Sequence, residues 1–248
     1  MNGILYFSGT GNSLDISRRL QDALGGEIRF IPSYEGNGGE YDRLILVAPI
    51  YSWGLPAHVY DLIPLLDKHV PVYIVLSYGG MRGGADRFSY EYAEENGLNI
   101  QGVYALKMPE NYTLTFSTLD FYNRGILKAA PKQIAAVIEG IRAGEKHIPK
   151  PQKMKKETYL INRSNWHLTA RDFSTTDSCI ACGKCAQICP VQNISLENGK
   201  ISFGDSCISC LACYHRCPRK AIIYKGRQKK DRYVNPNVKE SHIGKDFK

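Results

Sequence analysis

All eight cysteines of this 248-residue chain lie between Cys179 and Cys217, and the first 178 residues contain none. They fall into two copies of one pattern. CIACGKCAQICP places Cys179, Cys182, Cys185 and Cys189 ahead of Pro190, and CISCLACYHRCP places Cys207, Cys210, Cys213 and Cys217 ahead of Pro218. Both read C-x2-C-x2-C-x3-C-P, the second copy 28 residues after the first, and Ile194 maps onto Ile222. A unit this short cannot bury an apolar face alone, so the duplication implies that the copies pack together. Two intervening residues let three successive thiolates wrap one iron–sulfide cube. A fourth cysteine, held away by its Cys-Pro turn, reaches the other cube. The expected ligand sets are therefore swapped: Cys179, Cys182, Cys185 and Cys217 for one [4Fe-4S] cluster, and Cys207, Cys210, Cys213 and Cys189 for the other. Gly183 and Ala212 are read as the small residues that keep the two loops tight. Paired zinc sites are the competing reading, although zinc ligands usually come as two cysteines, a gap, and two more. A disulfide framework belongs to secreted chains, and nothing here points to secretion.

The longest mostly apolar run, Leu44 to Tyr51, is far short of the ~20 residues of a bilayer span. MNGILYFSGTG carries no basic residue, unlike a signal peptide. The expectation is a soluble, cytoplasmic protein. The net charge of +8 is unevenly spread. Residues 1–143 are slightly acidic, and the excess sits in the C-terminal stretch KGRQKKDRYVNPNVKE. With few aromatics and no recognisable module, this stretch reads as a solvated basic tail that lies on an acidic surface and not as a nucleic-acid surface. None of the six histidines pairs with another at metal spacing, and His215, inside the second cysteine loop, is expected to make a hydrogen bond or to face solvent, not to ligate. No Ser/His/Asp constellation or carboxylate pair is recognisable.

In residues 1–143, short apolar strands (3–7, 27–31, 44–50, 72–77 and 103–108) alternate with helical stretches (13–24, 85–96 and 130–142). This pattern implies an α/β fold with a parallel sheet covered on both faces. Ligands of such sheets bind beyond the carboxyl ends of the strands, and three features converge there. Ser8-Gly9-Thr10-Gly11-Asn12-Ser13 joins the first strand to the first helix and suits a phosphate at a helix N-terminus. It lacks the lysine of a P-loop and the G-x-G-x-x-G of a dinucleotide site. Tyr51-Ser52-Trp53-Gly54 follows the third strand, and Ser77-Tyr78-Gly79-Gly80 follows the fourth. Together their aromatics and glycines could hold a flat ring. The long segment Pro109 to Lys128, with Tyr112, Phe116, Phe121 and Tyr122, is a candidate lid or cluster-facing surface.

On these motifs residues 1–143 resemble flavodoxin and its relatives, and residues 175–225 resemble the bacterial dicluster ferredoxins. The whole chain looks like the flavodoxin–ferredoxin fusions of anaerobes, with 144–174 as a linker and 226–248 as a tail. The resemblance implies a doubly wound five-stranded sheet of order 2-1-3-4-5 and a smaller α+β ferredoxin domain. It implies FMN, with Ser8, Thr10, Gly11, Asn12 and Ser13 on the phosphate. Tyr51, Ser52, Trp53, Gly54, Ser77, Tyr78, Gly79 and Gly80 would flank the ring. It also implies that the Gly54 peptide turns when the flavin takes up an electron. The expected function is intramolecular electron transfer between FMN and two [4Fe-4S] clusters, exchanging electrons with redox proteins or small donors and acceptors. The alternative is a flavin-dependent reductase of a small organic substrate, fed by the clusters.

Overall fold

The computed structural model describes residues 1–114, 119–152, 156–227 and 231–248. Phe116 and two short pieces of the basic stretches, 153–155 and 228–230, lie outside them. Five parallel strands form the main sheet: β1 (Asn2–Tyr6), β2 (Glu27–Phe30), β3 (Arg43–Pro49), β4 (Val72–Tyr78) and β5 (Ile100–Lys107). Their order is β2-β1-β3-β4-β5, as the resemblance implies. Four helices cover it: α1 (Asn12–Leu24), α2 (Ala57–Leu62), α3 (Ala85–Glu95) and α4 (Asp120–Arg142). Strand alternation divides the core. Leu5, Leu46, Ile74 and Val103 align across four strands and pack with Val59 of α2 and Ala93 of α3. Ile4, Ile45 and Tyr73 face the other way, onto Ile16 and Leu20 of α1 and Ile134 and Ile141 of α4. Nearly all of these strand residues are out of contact with water, which explains their continuous apolar runs.

Helix α4 departs from expectation. It begins at Asp120, not at 130, and carries Pro131 inside. Proline removes one helical donor and usually starts or breaks a helix. Here Ala130, Ile134, Val137 and Ile141 bury one continuous stripe against the sheet, and that burial holds the helix through the proline. Phe121 and Tyr122 therefore lie on an exposed helical turn and form no lid.

The expected linker is a docked element. Helix α5 (Lys156–Asn165) and the turn after it bring Tyr159 (0% exposed) and Trp166 into an aromatic cluster with Phe88 and Tyr60. The second module follows as β6 (Phe173–Thr175), α6 (Lys184–Gln187), β7 (Ile194–Glu197), β8 (Lys200–Phe203), α7 (Ala212–Arg216) and β9 (Ile222–Tyr224). β7 and β8 form a hairpin across Asn198-Gly199, both at positive φ, as the Asn-Gly pair predicts. Strands β6 and β9 pair antiparallel. Ile208, Cys210 and Ala212 of this module pack into the core beneath α2 and α3, so the two modules share buried surface. Among the described residues, no helix is long and apolar enough to cross a membrane.

Among the described residues, the C-terminal stretch is docked on the first module. Phe247 exchanges both backbone hydrogen bonds with Ile28 at the sheet edge (2.6 and 2.7 Å), and Val238 and Ile243 are buried beside α1. The high charge of this stretch obscures these residues, and they dock it. The segment is a strap reaching from the cysteine module back across the first.

Candidate cofactor sites

The duplication reappears in the backbone. Ala181 and Ser209, Gly183 and Leu211, and Gln192 and Lys220 are each 28 residues apart, and all six have positive φ. Gly183 and Leu211 cap α6 and α7 at φ 70 and 59. The equivalent of Gly183 is thus Leu211, not Ala212. The loop needs a left-handed residue at this point and not a small one; Leu211 tolerates it while burying its side chain beside Phe173, Tyr214 and Ile222.

Cys179, Cys182, Cys185 and Cys217 line one cavity, and Cys189, Cys207, Cys210 and Cys213 line another. All eight thiols are free. Backbone N–H groups donate to sulfur at equivalent places: Asn193 to Cys189 (3.2 Å) and Ala221 to Cys217 (3.3 Å), with Ser209 to Cys207 (3.3 Å) in addition. Burial pushes the Cys210 thiol up to about 12, and burial also raises Cys185, Cys207 and Cys213. Thiols gathered in a dry cavity ionise together only around strong positive charge, which iron supplies. Four cysteines ranged around each cavity are a donor set that suits a cube.

At the sheet edge, the amides of Gly9, Thr10, Asn12 and Ser13 find no acceptor among the described residues, while Gly11 donates to the Ser8 hydroxyl (2.9 Å). The loop is buried, and it opens α1. Unpaired amides at a buried helix N-terminus fit a phosphate dianion. Ser77 joins this end, with its hydroxyl 3.4 Å from that of Ser13, and Ser8, Thr10, Asn12, Ser13, Ser77 and Gly79 line one cleft.

The ring end differs from what the resemblance implies. Tyr51 and Gly54 pair their backbones in a tight turn, with Ser52 and Trp53 at positive φ. This turn faces the linker. Ser52 is exposed and accepts from the Trp166 indole (3.4 Å), Trp53 packs on Gly83, and a side chain on Gly54 would meet the Tyr159 ring at 2.4 Å. The Tyr51 ring lies edge-on to Phe7 and Trp166, and its hydroxyl is 3.5 Å from the Cys210 carbonyl. In the other loop, Glu110 accepts from the amides of Gly80 (3.0 Å) and Tyr112 (2.8 Å), and its backbone packs on Gly79. The phosphate end of the site thus fits FMN. Of the residues expected at the ring, Ser77, Tyr78 and Gly79 line the cleft beside the phosphate loop, whereas Ser52, Trp53, Gly54 and Gly80 contact other protein groups.

Sequence reasoning missed the residues that join the sites. Asn12 donates to Pro109 O (2.9 Å) and accepts from Tyr233 (2.6 Å) and Asn235 (3.1 Å) of the strap. Asn235 is fully buried, and its amide donates to Thr10 O (2.8 Å). Arg232 lies 3.3 Å over the Tyr214 ring and donates to the carbonyls of Tyr214 and Ile222. His215 hydrogen-bonds as expected: its Nε2 donates to Asn111 O (2.6 Å), and its Nδ1 accepts from Tyr233 N–H (3.0 Å). Burial lowers its pKa to about 4. Leu114 enters the cysteine module's core, beside Phe173, Leu211, Tyr214 and Ile222. The only sequence signal for these roles is Tyr233 and Asn235 within a charged run.

Residues 178–223 match the family of 4Fe-4S dicluster domains. The dicluster domain is thus joined to a flavodoxin-like α/β domain, whose strand order is given above. Among solved structures, similar folds include the two-electron reduced Megasphaera elsdenii flavodoxin, 20% identical over 56% of this chain and 98% of its own, with a TM-score of 0.40. A Fusobacterium nucleatum flavodoxin mutant bound to flavin mononucleotide is 18% identical over 58% and 96%, with a TM-score of 0.41. A flavodoxin of Streptococcus pneumonia is 18% identical over 55% and 98%, with a TM-score of 0.35. No curated protein sequence matches the chain. A dicluster domain packed on a flavodoxin-like sheet supports electron transfer.

Proposed function

We propose that the protein carries electrons between two [4Fe-4S] clusters and an FMN on the same chain, and exchanges them with external redox partners. The observation that carries this reading is the contact between the modules. The Cys210 carbonyl lies where a side chain on Gly9 would be (2.5 Å) and beside the Tyr51 hydroxyl. A cysteine of one thiol set therefore rests on the phosphate loop itself. Bound FMN would supply one- or two-electron chemistry. The chain's own residues would bind and orient it: the amides of Gly9, Thr10, Asn12 and Ser13 on the phosphate, with Asn12 fixed by Tyr233 and Asn235. The dicluster loops would exclude water from the sulfurs and hold the two clusters beside one another. A fixed neighbour on the same chain replaces a bimolecular encounter.

Protein isolated without oxygen is expected to contain about eight irons, matching sulfide and one FMN. Reducing the clusters with dithionite is then expected to bleach the flavin in a first-order step independent of protein concentration. Zinc in place of iron, absence of flavin, or a concentration-dependent step would each contradict the proposal.

A further inference from the structure

A cavity of ≈ 950 Å³ lies between the end of β1, the cysteine loops and the strap. It is separate from the phosphate cleft. Neither Tyr51–Gly54 nor Ser77–Gly80 lines it, nor do Asn12 and Ser13, and the two spaces share only Ser8 and Gly9 of their linings. Phe30, partly exposed, supplies an apolar wall and is backed by the buried Phe7 ring, near-parallel to it at 18° and 6.2 Å away. Cys182, Cys189 and Cys210 face it from the dicluster domain, so both thiol sets reach this one space. Its cations are Lys184, Arg216, Lys239 and Lys245, and its one carboxylate is Glu240. Glu240 is shared by Lys184 and Arg216, which is only 6% exposed, and this leaves Lys239 and Lys245 at the exposed rim.

We propose that this cavity binds a planar, conjugated organic anion, with its ring against Phe30 and its charge at Lys239 and Lys245. The size lies within the range of small-molecule sites, which are mostly apolar with a few placed polar groups. The surplus of positive charge selects against neutral and cationic molecules of the same shape. The site stands whether or not a flavin occupies the phosphate loop.

The test uses the full cluster-loaded chain and anthraquinone-2-sulfonate as probe, followed by titration calorimetry. One probe per chain is expected, with the same affinity in FMN-bound and FMN-free protein. The double variant Lys239→Glu, Lys245→Glu is expected to weaken binding at least tenfold, and Ser241→Trp, which fills the rim, to abolish it. Iron content and melting temperature, unchanged in both, show that the fold survives. No binding, equal binding in both variants, or displacement of FMN by the probe would overturn the proposal.

Discussion

Gly9 and Glu110 show how single groups set the relation between the modules. Gly9 has no side chain because the Cys210 carbonyl occupies the space, and its backbone is not left-handed. Gly9→Ala is therefore a test of contact rather than of backbone strain. The loop of Cys210 must shift, which is expected to cost about 1–3 kcal/mol and to slow flavin–cluster exchange in stopped-flow traces. An unchanged rate and melting temperature would show that the contact does not matter. Gly54 offers no such clean test, because Gly54→Ala collides with Tyr159 whatever the flavin does. Glu110 holds the Gly80 amide and places a carboxylate beside the phosphate cleft. Glu110→Ala frees that amide and removes a like charge, so FMN is expected to bind several-fold tighter by fluorescence titration. Weaker binding would identify Glu110 as a structural support.

At the scale of elements, the 28-residue repeat was legible because ligand spacing is local in the chain. The expected swap accords with the cavities, where the fourth cysteine of each copy, just past α6 or α7, lines the same space as the other copy's first three. It makes a non-additive prediction. Cys179→Ser and Cys217→Ser should damage the same cluster, so the double variant loses little more iron than either single one. Cys207→Ser combined with Cys217→Ser should damage both. Iron counts showing the reverse pairing would break the swap. The extent of α4 was not legible, since Pro131 carries a local stop signal and the stripe that overrides it exists only against the sheet. Helix α5 was obscured likewise, because Tyr159 and Trp166 reveal their burial only when Phe88 and Tyr60 are brought beside them.

For the whole molecule, the strap decides how firmly the modules are held. The Tyr6 hydroxyl accepts from the amides of Gly244 (2.9 Å) and Lys245 (3.1 Å) and donates to the Lys245 carbonyl (3.0 Å). Burial pushes its pKa up to about 12, from 10.0. A raised folded-state pKa gives stability that is complete below the unfolded value and is lost as pH rises through the folded one. This contribution, roughly 2–3 kcal/mol, therefore disappears between pH 10 and about 12. Tyr6→Phe is expected to be less stable at neutral pH and to show a flatter decline across that window in alkaline melting curves. An equally steep decline would place the titration elsewhere. Replacing Asn235 with Ala leaves the Asn12 carbonyl oxygen with one donor fewer, and is expected to cost about 1–3 kcal/mol and to weaken FMN binding. An unchanged flavin affinity would confine Asn235 to packing.

Read alone, the chain specified both modules, because strand burial, the phosphate-loop composition and cysteine spacing are each written within a few neighbouring residues. The same locality located the amides able to hold a phosphate and the two thiol sets. What residues 51–54 touch, why Glu110 sits on Gly80, how the strap runs and where the ≈ 950 Å³ cavity opens were settled only by folding. Those features join residues distant in the chain, by more than two hundred positions for Asn12 with Asn235 and Gly9 with Cys210. Their partners are chosen by shape and by the need to pair buried polar groups, and neither leaves a mark on short-range pattern.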